Sequence, residues 1–314
     1  ESGSADQNGL RELTSVALAD RLSYLLWGSM PDDALLDHLE AGDLGDQAVL
    51  ESEVRRMLQA RPEAARQAFL NFARQWLGLD KLDNLSRDAE RYPQFSPQMA
   101  RDLRSSLERQ LEEAFGGAGL YVLFDADSAF VNANIAPLFG ATAQGDELVE
   151  VMLDPAQRRG LLTHPGLLAA LSKPNQSDPV LRGKFVRERF MCQQLTPPPP
   201  NVATTPPDPA PGSTTRERFA EHSRNEVCAT CHRLMDPIGF GLEHYDALGA
   251  YRLVDDGVPV DASGEILQSP DMEGKFNGGV ELAEKLAESA SVRDCVATQF
   301  FRYAVGRTET NKDA

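Results

Sequence analysis

The motif Cys228-Ala-Thr-Cys231-His232 constrains this chain more than any other part of its sequence. A Cys-x-x-Cys pair alone is compatible with a redox dithiol, half of a zinc site or a haem attachment site. The histidine directly after the second cysteine favours haem c, because each thiol adds to one haem vinyl group and the adjacent imidazole reaches the iron from one face. The motif therefore predicts one covalently bound haem c, held by Cys228 and Cys231, with His232 as the proximal iron ligand.

The sequence leaves the ligand on the opposite side of the iron open. Met235 lies one helical turn after His232 and hence on the same side of the porphyrin, which disfavours it as this ligand. His222, Met272 and His244 are each far enough along the chain to reach the other side. A site with no protein ligand there is the fourth possibility. A Met or His ligand is typical of electron transfer, whereas an open site permits chemistry with small ligands.

Two further predictions concern the remaining cysteines and the surroundings of the haem. Cys192 and Cys295 are the cysteines outside the motif. Haem c is attached outside the cytoplasm, where such a pair tends to form a disulfide, so we expect a bridge, with two buried thiols as the alternative.

Tyr251 and Arg252 are candidates for contacts with the haem propionates, because arginine forms charge-assisted hydrogen bonds with carboxylates.

Charge and hydropathy limit the partners and the location. The formal net charge is −17, from 31 basic and 48 acidic residues. This argues against nucleic acid as a partner and suits a basic redox partner protein. No apolar run approaches the ~18 residues of a membrane span. The polar start contains no signal peptide, so we expect a periplasmic or extracellular protein whose leader has been removed, or a fragment of a longer exported chain.

Apolar residues recur every three or four positions through the first half of the chain, which predicts α-helices. Thr14 or Ser15 caps the first of them, which Gly28 ends, and Ser96 caps another. Further along, residues 180–195 are expected to form a helix that carries Cys192.

The stretch that follows the haem motif is expected to leave the helix at Met235–Phe240, which contains Pro237. Residues 251–254 and 258–261 predict a small hairpin, and two helices close the chain.

A run of eight prolines in fifteen residues marks a boundary. We expect a mainly α protein, in which an N-terminal helical bundle precedes a small, mostly helical, cytochrome c-like haem domain with a short β-hairpin. In chain order, the predicted parts are a flexible start (1–13), a helical bundle domain (14–150), a connecting helical region (151–196), a proline-rich linker or strap (197–213) and the haem-c domain (214–314).

Short motifs in a fixed order extend from about residue 14 to the C-terminus. They are Arg21–Trp27, Pro31–Asp33, Arg159–Thr163, Pro179–Gly183, Pro198–Val202, His222, Cys228–His232, Met235–Phe240, Glu243–Asp246, Gly249–Arg252 and Arg302–Arg307. Together they resemble the planctomycete- and myxobacteria-type family of exported proteins that are built from consecutive domains of unknown function around one haem-c motif. The resemblance implies a secreted or periplasmic c-type cytochrome, and in that family a further N-terminal region is usual.

Three functions are compatible with these features. The first is an exported mono-haem c-type cytochrome in electron transfer. The second is a haem-dependent oxidoreductase, peroxidase- or oxidase-like, with an open or exchangeable distal site, which the roughly 200 residues ahead of the haem motif favour. The third is a surface binding module in which the haem is structural or senses a gas.

Overall fold

The computed structural model describes residues 9, 13–115, 119, 122–196, 208–222, 226–310 and 313. Within them the protein is mainly helical, with three short two-stranded antiparallel sheets, which confirms the predicted fold class. The helices are α1 (Ser15–Trp27), α2 (Asp33–Ala41), α3 (Gln47–Ala60), α4 (Pro62–Leu77), α5 (Pro97–Glu113), α6 (Val122–Asp125), α7 (Pro165–Ala170), α8 (Pro179–Phe185), α9 (Thr215–His222), α10 (Glu226–Phe240), α11 (Gly278–Glu288) and α12 (Ala290–Val305).

The six strands pair in chain order. They are β1 (Ser128–Val131) with β2 (Val149–Met152), β3 (Val254–Asp255) with β4 (Val258–Pro259), and β5 (Ser263–Ile266) with β6 (Gly274–Asn277). The β3–β4 pair is the hairpin predicted from the sequence, though it is shorter. Its turn contains Asp256 and Gly257, both with positive φ, as tight two-residue hairpin turns require.

The chain divides into two compact units, residues 1–73 and 74–314, called here the N-terminal and C-terminal units. The boundaries predicted near residues 150, 197 and 214 remain predictions, and most of the proline-rich segment (197–207) lies outside the described residues.

The N-terminal unit is organised by apolar packing between α1, α2 and α3. Its buried core consists of Ala19, Leu22, Trp27, Leu35, Leu44 and Met57. The helix ends follow from local sequence. The Thr14 side chain accepts a hydrogen bond from the Ala17 amide at 3.1 Å, and Gly28 ends α1 in the left-handed region with φ 64°. These are the N-cap and C-terminal glycine signals that sequence reasoning used.

The C-terminal unit contains a core made by residues far apart in the sequence. It joins α5 and β1 to the segment after α10, and its members are Tyr92, Met99, Leu103, Ala129, Val131, Ile135, Ala136, Leu138, Phe139, Ala247 and Leu248. Ser96 caps α5 by accepting from the Met99 amide at 3.2 Å, as predicted. A capping box also precedes α9, since Glu217 accepts from the Thr214 amide at 2.7 Å.

Two predicted boundaries were wrong. The helix expected over residues 180–195 ends as α8 at Phe185, and a π-helical turn, Val186–Phe190, follows it. Cys192 lies outside it, with φ 52°. The exit expected at Met235–Phe240 does not occur, because α10 continues through Pro237 to Phe240. Packing of this stretch against α8 offsets the cost of an internal proline.

Candidate functional site

A single helix, α10, carries the whole Cys-x-x-Cys-His motif. Positions 228 and 231 are therefore one helical turn apart. Cys231 is half-buried and takes part in no disulfide, and the side chain of His232 is 14% exposed. The side chains of Cys228 and His222 fall outside the described residues.

A buried carboxylate holds the imidazole of His232. Asp236 is one turn further along α10, and its Oδ1 and Oδ2 lie 3.0 and 2.9 Å from Nδ1 of His232. Asp236 is only 3% exposed. Its hydrogen bond raises the pKa of His232 above the usual value, an effect that partial burial opposes. Because Nδ1 donates to Asp236, the arrangement is compatible with coordination of a metal through Nε2.

Sequence reasoning missed Asp236. The signal was available as the i, i+4 spacing of a histidine and an aspartate, which places both side chains on one helical face. This spacing gave no prediction because the helix was expected to end at Met235–Phe240, which contains Pro237.

Helix α10 lies directly against α8, and two glycines make this possible. A Cβ on Gly183 of α8 would overlap the carbonyl oxygen of Met235, and a Cβ on Gly239 of α10 would overlap the carbonyl oxygen of Pro179. Pro179 therefore contacts Gly239, and Gly183 contacts Met235. Because the chain order is reversed between the two contacts, the helices run antiparallel, and the contacts are about one helical turn apart on each helix. The backbone that carries Asp236 is fixed between these two contacts.

Two fully buried arginines fix α10 and the segment that follows it. The guanidinium of Arg187, in the π-helical turn, donates to the carbonyl of Leu234 at 2.8 Å and also to the carbonyl of Leu267. Arg182, in α8, donates to the carbonyls of Leu242, Tyr245 and Asp246 at 2.7–2.8 Å. These are backbone acceptors just past the end of α10, and a cation at a helix C-terminus is favoured by the helix dipole.

Tyr251 and Arg252 lie in a buried network beside the end of α10. Arg252 donates to Glu243 Oε2 at 2.9 Å and to Asp255 Oδ1 at 2.5 Å. The ring of Tyr251 is 5.2 Å from the ring of His244, centroid to centroid. These contacts hold the segment that follows α10, and a role beside a haem propionate remains a prediction for both residues.

The candidate sixth ligands occupy different places. His244 is partly buried, and burial, with the charge of Arg252, lowers its pKa. Met272 is 3% exposed in the loop between β5 and β6. That loop begins at Leu267, whose carbonyl Arg187 links to Leu234 of α10. His222 ends α9, four residues before α10 begins.

The predicted disulfide is present. Cys192 and Cys295 are bonded, with their Cα atoms 5.4 Å apart. The bridge joins the end of the π-helical turn to α12, and Gln299 of α12 donates to the carbonyl of Glu188 at 3.0 Å beside it. In the described part of the chain, no helix has both the length and the apolarity needed to cross a membrane.

The described residues fit a haem c site. They offer a thiol outside any disulfide, and an imidazole whose Nδ1 is hydrogen-bonded to a carboxylate.

Three family models match consecutive parts of the chain. Each has the description "Protein of unknown function": DUF1592 at residues 13–141, DUF1588 at residues 158–255 and DUF1585 at residues 273–314. No curated protein and no solved structure matches the chain. The order of the three matches fits a multi-domain family of unknown function, as the sequence predicted. The Cys-x-x-Cys-His motif and both faces of the α8–α10 contact lie within the second match.

Proposed function

We propose that this chain is an exported mono-haem c-type cytochrome that transfers electrons. Its haem c is bound through Cys228 and Cys231, and His232 is the proximal ligand. The observation that carries the proposal is the helix α10, which combines the Cys-x-x-Cys-His motif with a buried carboxylate on Nδ1 of the same histidine. Metal-ligating histidines usually donate their second ring N–H to such a partner.

Each part of the site has a physical role in this function. Haem c supplies a one-electron iron couple when bound. The two thiols would hold it on the protein and His232 would be its proximal ligand through Nε2, while Asp236 holds the proton on Nδ1. The contacts of α10 with Gly183 and Arg187 fix the backbone that presents the imidazole.

Location and partner follow from the same features. The Cys192–Cys295 disulfide is compatible with a periplasmic or extracellular location, since disulfides persist in oxidising compartments. The formal net charge of −17 favours a basic protein as the redox partner, because opposite charges raise the association rate.

Absorption spectra of the oxidised and reduced protein, matured in a periplasm that attaches haem c, test the electron-transfer role. We expect a low-spin, six-coordinate spectrum in both oxidation states and a reversible one-electron titration. A high-spin haem that binds small ligands would contradict electron transfer and favour the haem enzyme instead. Turnover of peroxide above the free-haem background would then test that alternative.

The sixth ligand can be identified in the same experiment. Three variants, His222→Ala, Met272→Ala and His244→Ala, are compared with Met235→Leu as the control, because Met235 lies on the proximal side. The variant that converts the spectrum to high-spin has lost the sixth ligand. Conversion by the control would contradict the assignment of His232 as the proximal ligand.

A further inference from the structure

Asp236 is placed to act on the iron through His232. Its two carboxylate oxygens lie within 3.0 Å of one imidazole nitrogen, Nδ1. A carboxylate is a stronger acceptor than a neutral carbonyl, because hydrogen bonds to an ionised group are roughly twice as strong. The imidazole consequently becomes a stronger electron donor at its other nitrogen.

Burial and rigidity keep this interaction strong. The side chain of Asp236 is 4% exposed, so salt and water screen its charge little. The two residues that precede Asp236 are held in place by the π-helical turn and by α8. The Leu234 carbonyl accepts from Arg187, and the Met235 carbonyl lies against Gly183. Negative charge near the proximal ligand stabilises ferric over ferrous iron.

We propose that Asp236 is a positioning residue that strengthens the donation of His232 to a bound haem and thereby holds the reduction potential of the iron low. The inference deepens the proposed function and rests on it. Hydrogen bonding to the axial ligand is one of the levers by which proteins set haem potentials. A residue that only stabilised the fold would leave the potential unchanged.

The test is a spectroelectrochemical titration of the holoprotein and of Asp236→Asn, which keeps the size of the side chain and removes its charge. We expect the variant to shift the redox equilibrium towards ferrous haem by at least tenfold, an increase of about 59 mV for one electron. The matched control is Asp294→Asn, which removes one charge from an exposed position on α12. It is expected to shift the equilibrium by less than twofold.

Two further measurements keep the inference falsifiable. If Asp236→Asn does not retain haem, Asp236→Ser replaces it, with the same expected shift. Asp236→Glu keeps the charge and is expected to lie closer to the wild-type potential than either neutral variant. A wild-type chain that carries haem c, with neutral variants whose potential equals that of the control, would overturn this inference and leave the proposed function standing. A wild-type chain without covalent haem would overturn both.

Discussion

Two pairs of glycines, one pair in each unit, have different roles, and the contrast shows two ways in which glycine supports this fold. In the N-terminal unit, Gly28 and Gly42 end α1 and α2 with φ of 64° and 72°, and a Cβ on either would meet no atom within 4 Å. In the C-terminal unit, Gly183 and Gly239 lie within helices, and a Cβ on either would overlap the backbone of the partner helix. The first pair adopts the left-handed backbone conformation that ends each helix, whereas the second pair allows the backbones of two helices to pack closely.

The contrast extends to polar groups. The N-terminal unit buries a small apolar core and the carboxylate of Glu53, which pairs with Arg56 at 2.8 Å, while His38 is partly exposed, 2.9 Å from Asp43. The C-terminal unit buries Arg182 and Arg187 completely. Removing one partner of such a buried charged group is more destabilising than removing an exposed one, because the remaining polar atoms lose their hydrogen bonds. We therefore expect the scaffold of α10 to tolerate substitution less than the N-terminal unit does.

The largest expected effect is that of Gly183→Ala. Over-packing costs about 1–3 kcal/mol where side chains can yield; here the obstacle is the backbone of α10, so we expect a loss of about 4 kcal/mol in the free energy of unfolding. Urea denaturation followed by circular dichroism measures it. Gly45→Ala is the control, because a Cβ there meets nothing within 4 Å and we expect a change within about 0.5 kcal/mol. Equal losses in the two variants would contradict the steric role of Gly183.

The next largest expected effect is the loss of stability of the C-terminal unit in acid. His164 is fully buried; its Nδ1 accepts from the Gly166 amide and its Nε2 faces Ser106 Oγ, both at 3.0 Å. Burial, followed by the charge of Arg158, lowers its pKa to about 3. Below pH 6.5 the unfolded chain therefore binds a proton that the folded chain does not, and acid favours unfolding.

The loss of unfolding free energy due to His164 between pH 6.5 and pH 4 is roughly 3 kcal/mol. It is measured as the difference between the wild type and His164→Gln, each unfolded with urea at both pH values. His38→Gln is the matched control in the N-terminal unit. Identical pH dependence in the wild type and His164→Gln would show that His164 does not remain neutral in the folded protein.

A third substitution addresses the N-terminal core. Leu35 is fully buried, whereas its neighbour Leu36 is 43% exposed. We expect Leu35→Ala to lower the unfolding free energy of this unit by about 2 kcal/mol, the low end for such a change, because a small core can partly collapse around the cavity. Leu36→Ala is the control, with little expected change. The fluorescence of the buried Trp27 follows the transition, and similar midpoints for the two variants would contradict the core position of Leu35.

The smallest expected effect concerns the cap of α1. Thr14→Ala removes the acceptor for the Ala17 amide and should cost about 1 kcal/mol. Thr14→Ser retains a hydroxyl and should cost much less. Asp178→Ala removes the equivalent cap of α8, which is 5% exposed and accepts from the Leu181 amide at 2.9 Å. We expect the greater loss there, and the reverse order would break the contrast between the two units.

Local signals explain what sequence reasoning predicted well. The ends of α1 and the start of α5 depend on Thr14, Gly28 and Ser96, whose hydrogen bonds or conformation are set within four residues. The β3–β4 hairpin follows from the turn at Asp256–Gly257. The Cys192–Cys295 bridge followed from counting cysteines outside the motif. The tertiary structure was not needed for any of these.

Long-range packing explains what was missed. Pro237 is a strong local signal for a helix end, and the contact between α8 and α10 overrides it. The same contact keeps Asp236 within the helix, one turn after His232. One wrong helix boundary therefore also concealed a site residue. Arg182 and Gly183 lie in a motif that contributed to the family resemblance. The structure gives both a packing role, which the sequence could not separate from a functional one.

Covalent attachment of haem c to α10 underlies the proposed function, and the haem-to-chain ratio of the denatured protein measures it. Haem absorbance and the mass of the denatured chain are measured for protein matured in a periplasm that also matures a known c-type cytochrome. We predict one haem per chain, lost in Cys228→Ser/Cys231→Ser and retained in Cys192→Ser/Cys295→Ser. A wild-type chain without covalent haem, recovered beside the matured control cytochrome, would contradict the account.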